Sequence, residues 1–310
     1  MKRLIALMAA VLCFGFSFSC PAFAEESGEN LYTENIWNFV DVSMDISGGI
    51  PEDAGGVLDR IRTRGKLIVA TNAEWPPQEF LDPDKSGQDQ FAGADMELAR
   101  RIAQRMGVEL EIRDMSFSDV LSAAADDSCD LVISALAFIP SRAVQVEMSK
   151  GYYFTDSTAS TGIIIREADR EAILSLNDLS GKILAAQSGS LQESLGADNV
   201  KNYREFRRLQ QVEEVYHQVE TSLADAGFVD METAEEYIQS NPGCGLTLVE
   251  GLHFTLEEHQ KGDRIAAKKG ETALIAFVNG VIDEVTESGE FMNWIHEAEE
   301  RARELNLREE

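Results

Sequence analysis

The stretch from Leu67 to Phe80, LIVATNAEWPPQEF, constrains the fold of this chain more than any other. Leu67, Ile68, Val69 and Ala70 form an unbroken apolar run, the pattern of a strand covered on both faces in a parallel sheet. The run breaks into Thr71, Asn72, Ala73, Glu74, Trp75, Pro76 and Pro77. Two consecutive prolines exclude a helix or a central strand, so Trp75 is expected on a stiff loop at the carboxyl end of the buried strand. In open α/β sheets ligands bind at that edge. Trp75 is therefore read as ligand-facing, with a core cap as the alternative.

A chain of 310 residues can build two lobes, each with its own core. Residues 1–24 do not count towards them. Lys2 and Arg3 precede an apolar run over 4–18, and Ala22-Phe23-Ala24 has the small-x-small pattern of signal-peptidase cleavage. This predicts a signal peptide and a periplasmic chain that starts at Glu25. The apolar run is too short for a retained membrane helix. Cys20 raises a lipid-anchored alternative, but Ser17 is a poor match to the aliphatic residue wanted three positions before it.

The formal charge is −28, from 27 basic and 55 acidic residues, and loss of Lys2 and Arg3 leaves the remainder more acidic still. Such a surface argues against nucleic acid or an anionic membrane as partner. Cys13 and Cys20 fall in the leader, while Cys129 and Cys244 are far apart in sequence and are expected as unpaired thiols. His253, Glu257 and His259 are spaced plausibly for a metal, but no further ligand cluster accompanies them. No metal or other cofactor is expected.

Residues 25–64 form an extension with an apolar cluster at Ile36, Trp37, Phe39 and Val40 and a short helix over 57–64. Strands are expected at 67–70, 108–112 and 130–135, with helices at 96–106 and 119–125 between them. Leu98, Ala99, Ile102, Ala103 and Met106 follow helical spacing, and Gly107 is placed to end that helix. Such alternation implies right-handed crossovers and a parallel sheet. A second series has strands at 162–165, 182–186, 202–206 and 226–229 and helices near 193–195, 212–224 and 232–239. A strand at 265–267 and helices at 272–287 and 290–305 close the chain. Periodicity alone gives two α/β domains with a cleft between them as the default site.

Four blocks carry a resemblance. Gly93-Ala94-Asp95-Met96-Glu97-Leu98-Ala99 follows a Gly-x-acid-apolar-acid-apolar signature, and residues 130–142 (DLVISALAFIPSR) run from a strand into a loop ending in Pro-x-Arg. Residues 225–230 (DAGFVD) and 289–294 (GEFMNW) follow in order. From about Gly65 to the C-terminus the chain resembles the family 3 extracellular solute-binding proteins, the polar amino-acid receptors of ABC importers. The resemblance implies a type II periplasmic-binding-protein fold: α/β, two lobes, each a mixed sheet flanked by helices, joined by two crossover strands near 157–161 and 252–262. Lobe 1 would be discontinuous, 65–158 and 258–310, and lobe 2 would span 159–257. The protein would be a monomer that closes over an amino acid and delivers it to a membrane permease.

Carried over residue by residue, Arg142 would grip the ligand's α-carboxylate with its planar guanidinium, and Asp230 would accept the α-ammonium. One partner on each lobe makes binding and closure one event, and both side chains are expected in water while the cleft is open. Trp75 and Phe117 match the aromatics that sandwich the ligand's side chain. Gln187, Gly189 and Ser190 match the lobe 2 loop that adds hydrogen bonds at a helix N-terminus. Ala135 and Ala137 depart from the family pattern: Ala135 still offers backbone groups, but Ala137 lacks a hydroxyl that helps hold the carboxylate. Asn72 replaces an aspartate that commonly neutralises a cationic side chain, which favours a neutral polar or aromatic amino acid. Glu74 or Glu79 could restore a negative charge.

No catalytic residue is expected. One alternative is a dehydratase of prephenate-like acids on the same scaffold, with Glu193, Glu232 or His253 as general acid. Ser190 lies in no G-x-S-x-G motif and no histidine has a visible nucleophile partner. The other alternative is a soluble ligand sensor.

Overall fold

The computed structural model describes residues 40–51, 55–154, 161–256 and 261–307. The expected leader, Ile36, Trp37, Phe39, Glu257 and His259 lie outside these residues, as does part of each expected crossover. The chain enters through helix α1 (Val57–Arg64) and strand β1 (Lys66–Thr71). A small three-stranded sheet follows, β2 (Glu74–Trp75), β3 (Glu79–Leu81) and β4 (Phe91–Ala92). Helix α2 (Ala94–Met106), β5 (Glu109–Asp114), α3 (Phe117–Ala125), β6 (Leu131–Leu136), α4 (Pro140–Gln145) and β7 (Val146–Met148) complete the first series.

The second series starts with β8 (Thr161–Arg166), β9 (Ile183–Gln187), α5 (Leu191–Asn199) and β10 (Glu205–Leu209). It continues through α6 (Val212–Glu220), β11 (Ala226–Asp230), α7 (Met231–Ser240) and β12 (Leu246–Phe254). Strand β13 (Arg264–Lys268) and helices α8 (Thr272–Glu287) and α9 (Glu290–Glu304) close the chain.

Two five-stranded sheets result. The first has the order β5-β1-β6-β13-β7, with β5, β1 and β6 parallel and β13 antiparallel to both neighbours. The second has the order β10-β9-β11-β8-β12, with β10, β9 and β11 parallel and β8 antiparallel to both neighbours. Strand β13 joins the first sheet only after the whole second sheet has been laid down. Strand β1 is covered on both faces, as its apolar run requires. Leu67 and Val69 pack with Leu98 and Ile102 of α2 and Phe277 of α8, while Ala70 packs with Val120 and Ala124 of α3 on the other face. Each fully buried Leu, Ile or Val of this kind stabilises the fold by roughly 1.5–3 kcal/mol.

Trp75 differs from expectation in its local structure. It belongs to the edge strand β2, where it pairs antiparallel with Glu79, and Pro76 and Pro77 form the turn of that hairpin. A turn needs no ladder N–H from either proline, so the pairing resumes beyond them.

Residues 40–51 form a strap on the first lobe. Val40 N donates to Met148 O at 3.1 Å and Met44 N to Ala276 O at 2.8 Å, while Met44, Ile46 and Ile50 pack on the core. Buried Asn279 of α8 secures it: Nδ2 donates to Val40 O and Val42 O, and Oδ1 accepts from Lys150 N. Beside it, a Cβ on Gly280 would lie 2.3 Å from Met44 O. Gly280→Ala therefore tests the strap by sign. Alanine would favour a bare helix by about 1 kcal/mol. With the strap seated, overpacking should instead destabilise by roughly 1–3 kcal/mol, read as a lowered melting temperature.

Candidate functional site

A cavity of about 570 Å³ opens where the carboxyl ends of the parallel strands of both sheets meet. The first lobe lines it with Asn72 and Trp75 after β1, Phe117 at the start of α3, and Ala135, Ala137 and Arg142 around the end of β6. The second lobe contributes Gln187 at the end of β9, Ser190 at the cap of α5 and Asp230 at the end of β11. Gly189 does not line the cavity, but its carbonyl accepts from Arg142 Nη2 at 2.9 Å. The ten residues singled out in the sequence thus converge on one place.

Pro140 opens α4, so the short helix begins at a residue whose missing N–H is not needed and sets Arg142 within its first turn. Arg142 is 6% exposed in this arrangement, where the Gly189 carbonyl of the second lobe lies against it; its exposure to water is an expectation for the open cleft alone. Its Nη1 donates to Ala137 O at 2.6 Å, and the guanidinium carbon lies 5.7 Å from the centre of the Phe117 ring. Among the described residues no carboxylate pairs with it, and burial alone pulls its pKa down to about 10. It therefore remains a cation at neutral pH, desolvated and held by two carbonyl dipoles and the face of the Phe117 ring. Such a group is costly until an anion reaches it.

Asp230 stands on the opposite wall. Its Oδ1 caps α7, accepting from Thr233 N and Thr233 Oγ1, both at 3.1 Å. Burial raises its pKa above the ordinary carboxylate value, and the Thr233 bonds pull the other way. Polar contacts already span the cleft. Gln211 Nε2 donates to Glu74 Oε1 at 2.8 Å, Ser118 Oγ to Gln210 Oε1 at 3.2 Å, and Gln187 Nε2 to Asn72 Oδ1 at 3.5 Å. Ser190 caps α5 by accepting from Glu193 N, so its hydroxyl serves the helix as well as the cavity wall.

Beneath the first-lobe wall lies an acidic group that sequence reasoning missed. Asp95, fully buried at the start of α2, accepts from Ala135 N at 2.9 Å and from Tyr152 Oη at 2.8 Å, and burial pushes its pKa up to about 6. The backbone donor expected from Ala135 is therefore already engaged, because Asp95 is buried directly behind it. Glu79, 1% exposed, accepts from Ser134 Oγ at 3.0 Å, and burial together with Asp95 raises its pKa well above the carboxylate range. Burial and the like charge of Asp95 therefore favour the protonated form of Glu79. Asp263, where the chain re-enters the first lobe, and Gln78, in the turn after Pro77, also line the cavity. Neither follows a motif, whereas Glu79, like Glu74, is named from the sequence as a source of charge.

The groups considered for catalysis separate. Glu193 Oε2 accepts from Gly189 N at 2.7 Å, and its other oxygen pairs with Arg208. His253 is exposed on β12, and Glu232 lines the cavity. Cys129 is buried and Cys244 half-buried, both unpaired. Among the described residues no group of three metal-ligating side chains occurs, and no helix is long and apolar enough to cross a membrane.

The chain is 30% identical over 227 residues to the arginine-binding extracellular protein ArtP of Bacillus subtilis, covering 73% of this chain and 82% of the relative. It superposes with a TM-score of 0.65 on the amino acid ABC transporter substrate-binding protein AbpA of Streptococcus pneumoniae bound to L-arginine. That match is 29% identical and covers 79% of this chain and 98% of the other. A third relative, cyclohexadienyl dehydratase of Pseudomonas aeruginosa, is 27% identical over 147 residues, 47% of this chain and 53% of its own length. The profile of one family matches residues 67–297, which take in both sheets and nearly all of the cavity wall. With the type II two-lobed fold in place, the chain belongs to the bacterial extracellular solute-binding proteins, family 3.

Proposed function

We propose that this protein captures a free α-amino acid in the interlobe cleft, outside the cytoplasmic membrane, and delivers it to the permease of an ABC importer. The observation that carries the reading is Arg142: a buried guanidinium without a carboxylate partner among the described residues, on the cavity wall opposite a half-buried aspartate. A zwitterionic head satisfies both, carboxylate to Arg142 and ammonium to Asp230. Because Arg142 and Asp230 belong to different lobes, the ligand completes the network only when the cleft is closed. Trp75 and Phe117 supply the flat walls for the side chain.

Two sets of residues bear on which side chain fits. Asn72 offers an amide, which favours a neutral polar or aromatic group. Against it stand Asp263, Glu232, Glu235 and Glu299 on the same cavity, which outnumber Lys261, the basic residue other than Arg142 on its wall. Long-range attraction from several carboxyl groups outweighs one amide, and we favour a positively charged side chain.

The test is a thermal-shift screen of protein that has been unfolded and refolded to strip carried ligand. The panel holds the twenty amino acids, several dicarboxylates and prephenate. A ligand at 1,000 times its Kd stabilises the native state by about 4 kcal/mol. A rise of several degrees with one or a few amino acids is expected. A rise only with prephenate or a dicarboxylate would overturn the reading.

A further inference from the structure

We propose that Asp263 is the residue that selects the ligand's side chain, by meeting a guanidinium or ammonium group at its far end. The inference rests on the amino-acid reading of the cleft and names the chemical class within it. An α-amino acid head is neutral overall. Bound between Arg142 and Asp230, it satisfies one cation and one anion and leaves every other charge of the cavity as it was. Of the other carboxyl groups on the wall, Asp263 is the one on which burial and like charges act with nothing opposing them. Among the described residues its carboxyl has neither a hydrogen-bond donor nor a basic partner, and it lines the cavity. Burial, Asp95 and Asp230 all act against its ionised form. Each of these penalties is relieved by a positive charge brought into the same space.

The placement is rigid. Asp263 O accepts from Tyr152 N and Asp263 N donates to Tyr153 O, both at 2.9 Å, so the backbone is pinned one residue before β13 enters the sheet. A side chain fixed in this way can discriminate by charge, because it cannot swing out to water at little cost. A neighbour on the cavity wall points to the same ligand class: Gln78, 7% exposed, leaves its Oε1 without a donor. An ammonium or guanidinium brings several N–H donors to a corner that holds this unsatisfied acceptor as well as the Asp263 carboxyl. A neutral apolar side chain would bring none.

Isothermal titration of arginine and of citrulline, its uncharged near-isostere, separates the possibilities. The wild-type protein should bind arginine at least tenfold more tightly than citrulline. Asp263→Asn, which keeps shape and removes charge, should bring the two affinities within about threefold of each other, and Asp263→Ala should do the same. Equal wild-type affinities, or a preference for arginine that survives both substitutions, would overturn the assignment while leaving the amino-acid reading in place. Failure of every amino acid, charged or neutral, to bind would overturn both.

Discussion

Arg142→Met should abolish amino-acid binding and leave the ligand-free protein at least as stable as wild type. The two halves of this expectation come from the same fact. Methionine fills most of the buried volume of the arginine but carries no charge, so a ligand carboxylate would be desolvated without a counter-ion. Removing one partner of a buried charge pair costs about 2–5 kcal/mol, on the order of thirty-fold to several thousand-fold in Kd. In the empty cleft the balance reverses. The bonds from Arg142 to Ala137 O and Gly189 O are lost, at about 1 kcal/mol each. Against that loss, a desolvated guanidinium with no anionic partner is no longer buried. Calorimetry with the ligand found by screening, and melting without it, read the two halves separately. Unchanged affinity would remove Arg142 from the carboxylate site. A melting temperature lowered by about 10 °C or more would make it a latch between Ala137 and Gly189 instead.

Much of this site was legible because its residues stand where strands end. The apolar run at Leu67–Ala70 announces β1, and whatever follows a buried parallel strand faces the cleft, so Asn72 and Trp75 could be placed without a structure. Gln187 and Asp230 follow by the same rule from β9 and β11. Asp263 was not legible: the resemblance returned 258–310 to the first lobe, but no motif marks the residue before β13 as part of the cavity wall. The Glu79–Asp95 pair was hidden for a related reason. Each residue sits beside a recognisable feature, the double proline and the glycine signature, yet their contact is made by a turn and a helix that meet only in three dimensions. The burial of Arg142 likewise depends on contacts made in three dimensions: an arginine on a short helix is usually solvated, and here the Gly189 carbonyl from the other lobe, the Ala137 carbonyl and the Phe117 ring enclose it.

The glycine that opens the signature should be the least replaceable residue near the site. Gly93 precedes α2 with φ +114° and ψ 162°, a backbone conformation essentially closed to other residues. A Cβ there would lie 2.1 Å from Gln78 O, a backbone atom that cannot swing away. The closeness is structural: Ala94 N donates to Pro77 O at 3.0 Å and Asp95 N to Gln78 O at 2.9 Å, fastening the first turn of α2 to the hairpin turn that carries Trp75 and Glu79. Gly93→Ala should therefore cost roughly 3–5 kcal/mol, combining backbone strain with the clash. In a protein of this size that lowers the melting temperature by about 10 °C. Gly107, at the other end of α2, is the control. Its φ is also positive, at +67°, but a Cβ there meets nothing within 4 Å. Gly107→Ala should cost only the conformational preference, about 1–2 kcal/mol. Equal losses at the two positions would show that conformation alone demands glycine at Gly93, and that the α2 terminus is not held against the Pro77–Gln78 turn. A much larger loss at Gly93, accompanied by weaker ligand binding, would tie the signature to the placement of the cleft wall rather than to helix capping.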